Sequence, residues 1–157
     1  MANIYDGSFV LGSTSATTLS AGPGIKLDTS VPGVIGIGTD ETVLWSNSAG
    51  VSGSVNLSEP YSNFERMRIK MLPWADGIPS KEWEYYTDKN IFRDSTLYTV
   101  ATKLRFIGWE LSANDNKDTL TFTELNFFDG SWTPTSLDKT KTRFYKIVGI
   151  NRISGGN

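Results

Sequence analysis

The chain has 157 residues and carries 15 basic against 17 acidic side chains, a net charge of -2, which fits one domain, or one domain with an appendage. That balance excludes nucleic acid or an anionic membrane as a partner held by charge alone. There is no Cys and no His, so disulfide frameworks, thiolate nucleophiles, Cys/His zinc sites and imidazole-based catalysis are excluded, and an enzyme would have to work with carboxylates, Lys or Tyr.

Hydrophobic residues make up 38% and aromatics 12%, the composition of a domain with few aliphatic residues whose core or binding surface relies on rings. No apolar run approaches the roughly 18 residues of a membrane span, and Met1 to Asp6 has neither the basic nor the apolar part of a signal peptide. The expectation is a protein that does not insert into membranes and is made in the cytoplasm. If it works outside a cell, it gets there by lysis or inside a larger particle.

The chain divides near Asp40. Residues 1–40 hold seven of the fifteen Gly, ten Ser or Thr, four charges and two of the nineteen aromatics, Tyr5 and Phe9. Short apolar pieces, Ile25-Lys26-Leu27 and Val34-Ile35-Gly36-Ile37, are separated by the turn formers Gly22-Pro23-Gly24 and Val31-Pro32-Gly33. Such pieces carry too little apolar area to fold alone. They are either a flexible linker or a segment that finds its core against copies of itself. Recurring β-branched residues favour the second reading for 21–40.

From Glu41 onward the pattern is β. Thr42 to Trp45 is a short strand, Gly50 to Gly53 a turn, and Ser54 to Leu57 a strand with Val55 and Leu57 on one face. Phe64 to Met71 alternates, with Met67, Ile69 and Met71 opposite Arg66, Arg68 and Lys70: a half-buried strand with a basic outer face. In Lys81 to Thr87, Trp83 and Tyr85 oppose Glu82 and Glu84. Ser95 to Leu111 is too long for one strand and is expected to bend, with Ile107, Trp109 and Leu111 on one face. Asn114 to Asp118 reads as a polar hairpin loop and Thr119 to Thr123 as the return strand. Arg143 to Arg152 closes the chain with apolar groups on both faces, the mark of a central strand or one at a subunit contact. No segment has convincing helical periodicity. Seven or eight short strands with regular turn signals favour an antiparallel β-sandwich, and a barrel fits the same spacing.

Leu19-Ser20-Ala21-Gly22-Pro23-Gly24-Ile25-Lys26-Leu27, then Val34-Ile35-Gly36-Ile37 and Asp40-Glu41-Thr42-Val43-Leu44-Trp45, resembles the C-terminal end of bacteriophage tail fibres and related receptor-binding proteins. There a glycine-punctuated β stalk runs into a head that opens with such a strand, passes a Gly/Ser turn and continues as Leu57-Ser58-Glu59-Pro60-Tyr61-Ser62-Asn63-Phe64. The ending Phe144 to Ile153 is similar to the last strand of such heads. The resemblance covers residues 19–71 and 143–153 and contains no catalytic signature. It implies a homotrimer with residues 1–40 as stalk and trimerisation segment and 41–157 as a jelly-roll-like head. It also implies a place in the virion tail, attached to the rest of the fibre or baseplate, and a bacterial surface polysaccharide or other receptor as partner.

The stretch Pro73 to Asp88 is dense in rings and charges. A sugar stacks its apolar face on exposed rings while neighbouring carboxylates and amides hydrogen-bond its hydroxyls, so Trp74, Asp76, Trp83 and Tyr86 are candidate ligand-binding residues. Trp132, in the second Trp-bearing loop Asp129 to Pro134, is a fifth. Against these stands the plain structural reading, strongest for Trp83, whose alternation suits an inward ring equally well. Trp45 and Trp109 read as core. The stripe Arg66, Arg68 and Lys70 could meet an anionic glycan, although such a stripe is more often a solvated sheet face. Asn114 to Asp118 lacks the Gly and Glu of a calcium loop. Acids for a glycosidase pair (Glu82, Glu84, Asp88, Glu110, Glu124) exist, as some pair always will among seventeen. No catalytic residue, metal or cofactor is therefore expected. Besides receptor binding, two roles remain open: a purely structural trimerising cap, and a carbohydrate-binding module of a secreted protein.

Overall fold

Period-two alternation becomes strand pairing throughout. The computed structural model describes residues 3–5, 8–10, 25–28, 34–74, 79–100, 103–128 and 135–153, and among these there is no α-helix, only two short 3-10 turns, Tyr61–Asn63 and Lys139–Lys141. The chain is all-β and every strand pairing is antiparallel.

Strands β1 (Asn3–Tyr5), β2 (Ser8–Val10), β3 (Ile25–Asp28) and β4 (Val34–Thr39) form one sheet in the order β1-β2-β4-β3. Its register aligns Ile4 with Phe9, Phe9 with Ile35, Leu27 with Ile37 and Ile25 with Thr39. Among the described residues, no strand of this sheet pairs with a strand beyond Asp40.

The remaining strands are β5 (Glu41–Val51), β6 (Ser54–Asn56), β7 (Phe64–Leu72), β8 (Lys81–Tyr86), β9 (Ile91–Val100), β10 (Lys103–Ala113), β11 (Thr119–Phe128), β12 (Thr135–Ser136) and β13 (Arg143–Arg152). They make two sheets, β5-β13-β7-β8 and β12-β11-β10-β9, with β6 also paired to β11. One hydrophobic core joins them: Leu44, Met67, Ile69, Met71, Phe144 and Ile147 from the first, and Val55, Phe92, Ile107, Trp109, Leu111, Leu120, Phe122 and Leu125 from the second. Rings also meet across the layers, Trp83 on Trp109 at 4.9 Å and 75°, Tyr85 on Phe92 at 5.3 Å and Phe122 on Phe144 at 4.5 Å. This is the packing of a two-layer antiparallel sandwich. Each large side chain so buried contributes about 1.5–3 kcal/mol, and each ring pair about 0.5–1.5 kcal/mol more.

The central position of β13, between β5 and β7, accounts for its two apolar faces. A register shift between Phe144 and Lys146 leaves Tyr145 as the extra residue of β13; beyond it the alternation holds against β7, with Ile147 on the core face beside Ile69 and Val148 on the outer face beside Arg68, and both are buried. Gly149 is required there: a Cβ would lie 2.5 Å from the Phe64 ring. The turn expected at Gly50 to Gly53 is shorter: β5 runs through Gly50 to Val51, and only Ser52 and Gly53 separate it from β6. Gly50 and Gly53 have φ +75° and +83°, conformations that L side chains rarely adopt. The long segment Ser95 to Leu111 does more than bend: it belongs to two strands, β9 and β10, with Val100 opposite Lys103. Ala101-Thr102 between them carries none of the usual turn residues.

Candidate functional site

At one end of the sandwich, segments distant in sequence converge. Ser62 comes from the first 3-10 turn, Glu65 from the start of β7, Tyr86, Thr87 and Asp88 from the end of β8, Lys117 from the β10–β11 loop and Ile153 from just beyond β13. Together they line a cleft of about 480 Å³, a size that suits a sugar ring or small oligosaccharide end. Tyr86 is 70% exposed and Ile153 53%, so the cleft offers apolar surface next to carboxylate, hydroxyl and ammonium groups.

Main-chain and buried contacts fix the walls. The Thr87 hydroxyl, itself buried, donates to the Phe64 carbonyl, and Thr87 N–H donates to Glu65 O at 3.2 Å, which pins the end of β8 to the start of β7. Ile153 N–H donates to Asn63 O at 2.8 Å and Tyr61 N–H to Lys117 O at 3.0 Å. The Tyr61 hydroxyl donates to Lys89 O at 2.7 Å, and burial pushes its pKa up to about 12. Asn114 closes the loop that presents Lys117: its Oδ1 accepts from the N–H groups of Asp118 and Thr119, both at 3.1 Å, and its Nδ2 donates to Asp118 Oδ1 at 2.6 Å. These contacts occupy Asp118, and among the described residues no group of three or more acids could hold a metal ion.

Glu65 is oriented by Asn151, whose Nδ2 donates to Glu65 Oε2 at 3.0 Å. Asn151 Oδ1 is buried without a hydrogen-bond partner. Turning the amide over would only exchange that deficit for an oxygen facing a carboxylate, so the Glu65 contact decides its orientation. Lys117 Nζ stands 6.0 Å from the centroid of the Tyr61 ring, on the wall formed by the loop.

The expected ligand-binding residues separate into three groups. Tyr86 lies in the cleft. Trp83, one place along the alternation from the outward Glu82 and Glu84, points inward, packs against the core and lies edge-on to Trp109; its ring is accounted for by packing. Trp74 is half-buried against the core with Lys141 Nζ 4.9 Å over its ring, a cation–π contact that covers the face a sugar would need. Asp76 and Trp132 lie outside the described residues. Trp109 is buried as expected, whereas Trp45 is only partly so.

The outer charges are largely mutual. Arg66 pairs with Glu84, and Arg68 pairs with Glu84 at 3.3 Å and Glu41 at 3.0 Å, because the register sets Arg68 opposite Glu84. Arg152 grips Glu59 with both terminal nitrogens, at 2.8 and 2.6 Å, and holds that carboxyl below its ordinary range. Glu110 accepts from the Thr123 hydroxyl at 2.8 Å and from Arg93 Nε at 2.8 Å, which lower its pKa in that order of importance. A glycosidase acid requires the opposite, a raised value.

Ser62, Glu65, Lys117 and Ile153 were not among the candidates read from the sequence. Each sits in an ordinary local pattern; the pairing of β7 with β8 and β13 brings three of them together, and the Tyr61 N–H bond to Lys117 O adds the fourth from the other sheet. No family model and no curated protein matches this chain.

Proposed function

We propose that the protein is a receptor-binding head of a bacteriophage tail fibre, which recognises a carbohydrate on the host surface without catalysis and works as a homotrimer. The observation that carries the binding reading is the cleft of Tyr86: a 70% exposed ring beside Ser62, Glu65, Asp88 and Lys117. Such a ring costs apolar exposure in the free protein and gains a partner when a pyranose stacks on it.

The trimer is supported by the sheet of the first forty residues. Its four short strands pair with one another and, among the described residues, with no strand beyond Asp40, and a sheet with so little apolar sequence of its own requires a second layer. Copies around a three-fold axis would supply it, as the resemblance of residues 19–71 to fibre stalks and heads suggests. Residues 1–40 are then the trimerisation segment and 41–157 the head, which would be exposed at the virion tail.

Two measurements test the reading. Light scattering at micromolar concentration is expected to give about three times the chain mass of 17.3 kDa; a monomer removes the trimer. Binding of the chain to an array of bacterial surface polysaccharides is expected to be lost in Tyr86→Ala. Binding that persists unchanged in that variant, with the fold intact, would move recognition elsewhere.

A further inference from the structure

We propose that the Tyr86 cleft takes an uncharged sugar ring, stacked on Tyr86 and held through its hydroxyls by Glu65 and Asp88, and discriminates against rings bearing sulfate, phosphate or carboxylate groups. This rests on reading the cleft as a carbohydrate site. The lining residues contain two carboxylates, Glu65 and Asp88, and one ammonium, Lys117. An ionised carboxylate only accepts hydrogen bonds, with room for about four, so it needs donors. Vicinal hydroxyls supply donors; a sulfate or ionised phosphate supplies none.

The surrounding cations do not reverse this balance. Arg66, opposite Tyr86 in the register, is bound by Glu84, Arg68 by Glu84 and Glu41, and Arg152 by Glu59. The basic stripe of β7, which in the sequence alone suggests an anionic polymer, is therefore compensated by acids of β8 and β5. An anionic ligand in the cleft would meet Lys117 on one wall and two carboxylates on the others. Asn151 holds Glu65 by Oε2, so that carboxylate is already oriented before a ligand arrives, which limits the ordering cost of binding.

The experiment measures binding of the full chain to immobilised uncharged polysaccharides (dextran, mannan and galactan) and to dextran sulfate and phosphomannan. Tyr86→Ala, Asp88→Asn and Glu65→Gln serve as variants, each checked for an unchanged unfolding midpoint. Binding to at least one uncharged polymer is expected, weakened about tenfold or more by Tyr86→Ala and by Asp88→Asn, and nearly constant from low to high salt. The anionic polymers are expected to bind at least about tenfold more weakly, and Asp88→Asn to narrow that gap. If Glu65→Gln disturbs the Asn151 contact and the fold, Asp88→Asn alone decides. Tyr86-dependent binding that favours the anionic polymers, or that collapses with salt, overturns the inference and leaves the carbohydrate site standing. No Tyr86-dependent binding to any of the polymers overturns the site and the inference together.

Discussion

Trp83 and Tyr86 lie three residues apart on one strand and meet opposite surroundings. Trp83 faces the second sheet, edge-on to Trp109 at 4.9 Å, whereas Tyr86 stands 70% exposed at the rim of a cleft. Both belong to the ring-dense stretch that composition alone marks for ligand binding. What separates them is strand parity: Trp83 and Tyr85 of β8 pack inward, whereas Glu82, Glu84 and Tyr86 face out. Abundant rings thus serve two purposes here, the inner ones replacing the aliphatic residues this chain lacks and the outer one offering a surface.

If that division is correct, substitutions of inner residues should act on stability and leave binding to the fraction that folds. The largest effect is expected from Phe144→Ala. The ring is fully buried and packs on Phe122 at 4.5 Å, so its loss should cost about 3–5 kcal/mol in denaturant unfolding. Gly149→Ala comes next, at about 2–3 kcal/mol, because the new methyl would overlap the Phe64 ring. Trp83→Ala is expected to cost about 2 kcal/mol, since the ring is only partly buried and loses one edge-to-face partner. Trp83 is also the sharpest test of the division: a stable Trp83→Ala variant that no longer binds sugar would place this ring at the site and break the comparison.

A smaller effect is expected on the outer face of the second sheet. Glu110 has its pKa lowered by Thr123 and then by Arg93. A carboxyl whose folded value lies below its unfolded one contributes stability above the ordinary carboxylate range and loses it as pH falls through the folded value. Glu110→Gln should therefore cost about 1 kcal/mol at neutral pH, and the gap between variant and parent should close as the pH drops below 4.5. Unfolding midpoints across that range check it; a gap that widens in acid would contradict the assigned contacts.

Much of the sandwich was legible because β-strands express burial with a period of two. Met67, Ile69 and Met71 alternate with Arg66, Arg68 and Lys70 in the sequence, and all three apolar residues are fully buried. The polar loop at Asn114 and the turn at Gly53 carry local signals that need no partner strand. The hairpin between β9 and β10 was not legible, since Ala101-Thr102 gives no turn chemistry. The cleft was legible only through Tyr86. Ser62, Glu65, Lys117 and Ile153 are ordinary surface residues until β13 inserts between β5 and β7 and brings Ile153 to Asn63, and Tyr61 ties the loop of Lys117 to the same end. Trp74 illustrates the converse: Pro73 beside it suggests a free loop ring, but Lys141, 67 positions later, covers it.

The most direct test of the central claim is a paired measurement on Tyr86→Ala, its unfolding free energy and its binding to the polysaccharide array. The ring is exposed and closes no core contact, so stability should change by less than about 0.5 kcal/mol while binding falls about tenfold or more. A variant that unfolds early, or one that keeps both its stability and its binding, would contradict the assignment of Tyr86 as the ring that meets the ligand.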